Sequence, residues 1–183
     1  GDLKDFAKLS FENSLEKIGK SYNRHIVLGE SSLFRSGKIN KRMIHKLDLK
    51  NIREDSHYTY NIDKSKDSAD AFGWAKNVTY QKSFYETGPL SRAIVQNRDF
   101  IKDIHKIYDD SVFTRVMARM DELAHLLYTT KSLIKQVDIS EESFIKPKIS
   151  LKDVKKAEGT AVVEATRGSL LHQVLIEDGK ISN

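Results

Sequence analysis

Residues 158–183 constrain this chain more than any other stretch. Two apolar runs, 160–168 and 169–176, lead into Glu177-Asp178-Gly179-Lys180, and only Ile181-Ser182-Asn183 follow. Asp-Gly is a strong two-residue hairpin signal, because a type I′ turn needs positive φ at both central residues and glycine supplies it without steric cost. A returning strand should match 170–176 in length, yet three residues remain after Lys180. The pattern predicts a hairpin with a severed second arm, and hence a piece of a larger protein. A start at Gly1 rather than methionine fits the same expectation.

Upstream, Leu3, Phe6, Ala7, Phe11, Leu15, Ile18 and Tyr22 recur every three or four positions and predict an opening helix with one apolar face. Short apolar pieces broken by Gly29, Ser31-Ser32 and Gly37 predict brief strands or turns to about Lys50, and the polar stretch 63–70 predicts an exposed loop. Gly88-Pro89 marks a turn, with Pro89 suited to the first turn of a helix through Leu90, Ile94 and Val95. The strongest helical periodicity follows, from Phe100 to Tyr108 and from Val112 to about Gln136. Asp109-Asp110-Ser111 breaks it with N-cap residues. Pro147 lies in the connection to the terminal hairpin. The predicted fold class is mainly α with a small β part, a helical bundle plus a β-hairpin. Its expected segments are 1–50 (helix plus short strands), 51–87 (irregular or strand), 88–136 (helical core) and 137–183 (connection and hairpin).

Composition narrows the chemistry. At 39% hydrophobic and 31% charged residues, the chain can build a real core. No apolar run approaches the length of a membrane span, and the opening Gly1-Asp-Leu-Lys-Asp reads as no leader. The net charge is +5, but lysines and arginines interleave with acids, which makes an ordinary solvated surface rather than a phosphate-binding stripe. Cysteine is absent, which excludes disulfides, thiolate catalysis and metal-thiolate ligation within these residues. His25, His45, His57, His105, His125 and His172 include no pair at ligand spacing on one helix, so each reads as a surface or packing residue and no metal ligand is identified. Arg115, Arg119 and Glu122 sit at helical spacing and predict a partly exposed ion-pair ridge. Nucleophile elbow, P-loop and dinucleotide fingerprints are missing.

Arg167 differs from these. It stands between Thr166 and Gly168, where one apolar run gives way to the next. A glycine beside it lets the backbone bend while the planar, permanently charged fork projects toward a carboxylate, an anion or a polar ligand. A structural salt bridge, to Glu164 for instance, is the plain alternative.

These residues resemble the large subunit of nickel-iron hydrogenases. Glu164-Ala165-Thr166-Arg167-Gly168-Ser169-Leu170-Leu171-His172, with Asp178-Gly179-Lys180-Ile181-Ser182-Asn183 after it, is similar to that family's Glu-Ala-Pro/Ala-Arg-Gly-x-Leu-x-His stretch and the Gly-x-Ile-x-Asn beyond. Tyr85-Glu86-Thr87-Gly88-Pro89-Leu90-Ser91-Arg92 resembles its Glu-x-Gly-Pro-Leu-Ala-Arg motif, and Arg115-Val-Met-Ala118-Arg119-Met-Asp-Glu122 its Arg-x-x-Ala-Arg-x-x-Glu. Ile52-Arg53-Glu54-Asp55-Ser56-His57-Tyr58 is a weaker match, and the first fifty residues match only in general character. Together the motifs keep the family's order.

The resemblance implies a subunit that holds a nickel-iron centre on four cysteines, cleaves dihydrogen reversibly to protons and electrons, and passes the electrons to an iron-sulfur partner subunit. The cysteine pairs are not in this sequence, so the piece is expected to hold no such centre and to be inactive alone, supplying the roof of the metal pocket. Arg167 matches the family's arginine over the open metal position, where a fixed cation acts by electrostatic positioning. Glu164, Thr166 and His172 are implied as supporting residues around it, Thr166 departing from the usual proline or alanine. Two other readings stay open: a metal-free relative like the quinone-binding subunit of respiratory complex I, and a basic helical nucleic-acid binder. Exposed apolar area would make a second copy of the chain a further candidate partner. The expected location is the cytoplasm, with any membrane association made through partner subunits.

Overall fold

The opening helix forms as its periodicity predicts but ends sooner. A computed structural model describes residues 1–40, 43–146, 148–150 and 153–182, so Pro147 and Asn183 lie outside the described residues. Helix α1 spans Asp2–Glu12. Ser14 then takes φ 56°, while the Leu15 N–H donates to the Ser10 carbonyl at 2.9 Å and the Ser14 N–H to Phe11 at 3.3 Å. This pair of bonds closes a helix end around one left-handed residue. Leu15, Ile18 and Tyr22 therefore leave the helix. The Ile18 and Leu15 carbonyls instead accept from the N–H groups of Val112 and Phe113 at 3.0 and 3.3 Å, occupying donors that a helix start leaves free.

Three antiparallel meanders follow the chain order: β1 (Arg24–Val27), β2 (Gly37–Asn40) and β3 (Met43–His45); β4 (Ile52–Asp55), β5 (Asn77–Tyr80) and β6 (Ser83–Phe84); and β7 (Lys156–Ala165), β8 (Gly168–Glu177) and β9 (Lys180–Ile181). Between the second and third meanders lie α2 (Pro89–Val95), α3 (Asp99–Tyr108) and α4 (Val112–Ile134). Pro89 opens α2 as predicted, and every residue of that helix is buried. Around it Val27, Ile39, Ile101, Phe113, Met117 and Ala118 close the core. Ser111 caps α4, its Oγ accepting from the Thr114 N–H at 3.2 Å. Only the first half of α4 enters the core, since Leu123, Leu127, Tyr128 and Ile134 are exposed.

The class is therefore not mainly α. Among the described residues, 33% helix stands beside 26% strand in three small sheets, a mixed architecture rather than a helical bundle carrying a hairpin. Periodicity favours long helices over strands of two to four residues, which offer too few alternating positions to register. At the terminal sheet the Asp178-Gly179 turn forms as read, with φ 49° and 73°, and pairs Glu177 with Lys180. The bend expected beside Gly168 is the turn of a second, longer hairpin, which turns at Thr166-Arg167 and pairs Ala165 with Gly168.

Candidate functional site

The Thr166-Arg167 turn is held at its tip. Glu164 lies one residue pair from the turn, and its side chain is 2% exposed. Its Oε1 accepts from the backbone N–H groups of Leu28 (3.2 Å) and Gly29 (3.0 Å), and from the Ser169 hydroxyl. Its Oε2 accepts from Arg92 Nη1 at 2.9 Å. Gly29 has no side chain because a Cβ there would sit 3.1 Å from the Glu164 nitrogen.

Arg92, on α2 and 2% exposed, organises the whole arrangement. Its Nε and Nη2 grip Glu122 of α4 in a two-pronged pair, both at 2.7 Å. Nη1 reaches the Ala165 carbonyl at 2.9 Å as well as Glu164, Nη2 points at the Thr166 carbonyl at 3.4 Å, and the plane lies 5.1 Å from the Phe34 ring centroid. All five guanidinium N–H groups are thus engaged. Burial works to lower its pKa, but the bonds to Glu122 and Glu164 outweigh that and raise it above the ordinary value. A lysine could not span two carboxylates and a carbonyl in one plane.

Two glycines let the strand-to-helix turn and the hairpin turn touch backbone to backbone. Gly88 takes φ 100°, and a Cβ on it would lie 2.8 Å from the Arg167 carbonyl oxygen. A Cβ on Gly168 would meet Thr87 Oγ1 at 2.3 Å. Next to them, Glu86 receives Arg115 Nε and Nη2 at 2.7 and 2.8 Å, while its carbonyl accepts from Ile26 N–H at 2.9 Å. The predicted Arg115–Arg119–Glu122 ridge is therefore not one ridge. Arg115 turns to Glu86, Glu122 turns to Arg92, and Arg119 is exposed.

Arg167 itself is exposed, on the wall of an open cavity of about 420 Å³ that Thr87, Thr166 and Ser169 also line. Glu164, the alternative partner expected for it, is committed to Arg92. Thr166 shares the tip with Arg167. His172 is exposed on β8 opposite Ala161, away from the tip, and the fold does not bring it to Arg167. The segment from Ile52 opens with β4 of the second sheet, and beyond that strand His57 contacts Asp70 at 3.1 Å. Sequence reading missed Arg92 as the organiser, although the quoted motif contains it. No local pattern reveals that an arginine at the end of a helical turn will meet carboxylates 30 and 72 positions onward.

With no cysteine in the chain, the donor set does not fit a thiolate-held nickel-iron centre. Nitrogen and oxygen donors do gather elsewhere. His25 meets His105 and Asp110, which lie 80 or more positions onward in the sequence, a convergence that no spacing of the histidines reveals.

Residues 29–183 match a family model described as nickel-dependent hydrogenase. The large subunit of the periplasmic NiFeSe hydrogenase of Desulfomicrobium baculatum is 30% identical, the match covering 69% of this chain and 27% of that protein. The Ni-Fe-Se hydrogenase from D. vulgaris Hildenborough in its as-isolated oxidised state superposes with a TM-score of 0.78 at 24% identity, over 97% of this chain and 44% of that one. Anaerobically purified Dm. baculatum NiFeSe hydrogenase gives 0.79 at 24% identity, over 99% and 44%. The chain thus spans less than half the length of these relatives. Among the described residues no helix is long and apolar enough to cross a membrane. A periplasmic relative lends no support to the expected cytoplasmic location.

Proposed function

The chain belongs to the nickel-dependent hydrogenase family, and from that premise we propose that it forms part of the large subunit of an enzyme that cleaves dihydrogen reversibly. In this reading the 183 residues supply the roof of a metal pocket whose thiolates come from other polypeptide, and they are inactive alone. The iron-sulfur small subunit is the proposed partner.

One observation carries the reading. Three segments far apart in sequence, around 85–92, 115–122 and 164–169, meet where Arg92 holds Glu122 and Glu164, and Arg167 stands exposed at the end of the structure they fix. A purely structural arginine would be expected inside the ion-pair cluster, yet that place belongs to Arg92. Among the described residues Arg167 has no ion-pair partner, so it can face a neighbour, and its planar fork offers directed donors. The role that suits it is electrostatic positioning: a pre-oriented cation needs no reorganisation when negative charge develops beside it. Proton abstraction suits it poorly, because the free base of a guanidinium is scarcely populated near neutrality. Arg92, Glu122 and Glu164 act through Arg167 by fixing the turn that bears it.

The test is Arg167→Lys in the complete hydrogenase. Hydrogen turnover should fall well beyond about tenfold, a loss above about 1.4 kcal/mol of transition-state stabilisation, with nickel and iron content retained. Near-normal turnover would remove Arg167 from the mechanism.

A further inference from the structure

We propose that His25, His105 and Asp110 form a binding site for one zinc-class divalent cation, ligated by both Nε2 atoms and Asp110 Oδ1. The three residues arrive from β1, from the last turn of α3 and from the junction before α4; His25 and Asp110 are buried and the His105 side chain is 12% exposed. His105 Nε2 lies 2.8 Å from Asp110 Oδ1, and His25 Nε2 lies 3.1 Å from the same oxygen. Ligand atoms on a tetrahedral zinc stand roughly 3.3 Å apart, given bonds of about 2.0–2.1 Å. All three ligand atoms lie within 4.8 Å of one another, close enough for one ion to reach them after side-chain adjustment.

Hydrogen bonds behind the cluster orient its ligand atoms. The Ser91 hydroxyl has one hydrogen, and it donates to the Glu86 carbonyl at 2.6 Å. Ser91 Oγ is then an acceptor for the N–H at His25 Nδ1, 3.2 Å away, which turns the other ring nitrogen toward Asp110. His25 Nε2 is completely buried and stands 3.1 Å from Asp110 Oδ1 without an aligned hydrogen bond. A cation held between them would take both groups as ligands.

The surroundings are those of a ligand set held from behind. Histidine ligands usually donate their other ring N–H to an oxygen, and His25 does so through Ser91 to a backbone carbonyl. Asp110 is fixed likewise, its Oδ2 accepting from the Asn23 N–H at 2.8 Å. An entry path exists on one side, because His105 borders a cavity of about 570 Å³ also lined by Asn23 and Asp109. Two imidazoles and one carboxylate suit zinc or cobalt, with the fourth position left to water from that cavity. Such an ion would staple the first sheet to the helical layer.

Titration of cobalt(II) into the chelator-treated full chain tests the site without any hydrogen turnover. One equivalent should bind with the intense visible bands of four-coordinate cobalt, and zinc should displace it. His105→Gln, at the cavity edge, should weaken binding at least about a hundredfold, and Ser91→Ala about tenfold with the bands retained. Asp110→Asn should abolish the bands if it folds, and His105→Gln decides the matter if it does not. Absence of four-coordinate bands in the native chain, or binding unchanged by His105→Gln, would overturn the proposal.

Discussion

Arg92 and Arg167 divide two tasks that sequence alone assigns to neither. Both are arginines in recognisable motifs, but Arg92 is 2% exposed with every donor engaged, whereas Arg167 is exposed beside a cavity. Removing one partner of a buried pair strands the other's charge, at a cost of about 3–5 kcal/mol. Arg92→Met should therefore lower the unfolding free energy of the chain by about that much in urea titration, since both Glu122 and Glu164 lose their cation. Adding Glu164→Gln should destabilise the Arg92→Met chain less than it destabilises the native one, because its charge is then already unpaired. Equal effects in the two backgrounds would mean that the pair is not coupled. Gly88→Ala places a methyl group 2.8 Å from the Arg167 carbonyl in a backbone region that L-residues avoid. A thermal transition lower by roughly 1–3 kcal/mol is expected.

Among the elements, the turns were the most legible and the strands the least. Asp178-Gly179, Gly88-Pro89 and the Asp109–Ser111 break each depend on residues within one turn of themselves, so their chemistry was visible. The end of α1 was hidden because apolar spacing continues through Leu15 and Ile18, while the backbone reverses at Ser14 to serve the start of α4. Ser111 performs the matching task at that start. Ser111→Ala should cost about 1–2 kcal/mol. For a domain this size that is a fall of roughly 2–8 °C in the calorimetric midpoint, and no shift would deny the cap its role. For β7–β8 the sequence marks the bend beside Gly168 but not the ten-residue pairing, because neither Thr166 nor Arg167 is at positive φ and much of β7 faces outward.

For the whole molecule, stability is concentrated around α2, buried along its length, and thins out toward α4 beyond Glu122 and toward the strand ends away from the Thr166-Arg167 tip. Hydrogen exchange should follow that gradient, with amides of α2 protected longest and those of 137–146 exchanging first. Uniform protection would contradict a single core. The exposed Leu123, Leu127, Val163, Leu170 and Ile181 give neighbouring polypeptide, a partner subunit or a second copy a surface to cover. By itself the sequence determined the local features: helix periods, the Asp-Gly turn, the proline-led helix start, the family motifs and a cysteine-free donor set. Each of these is written in residues within a few positions of one another or in composition. Only the tertiary structure decided which charges pair, that three motifs share Arg92, that Arg167 stays free, and that His25 meets His105 and Asp110. Such partners are chosen by packing and burial across long separations, where no periodicity in the chain records them.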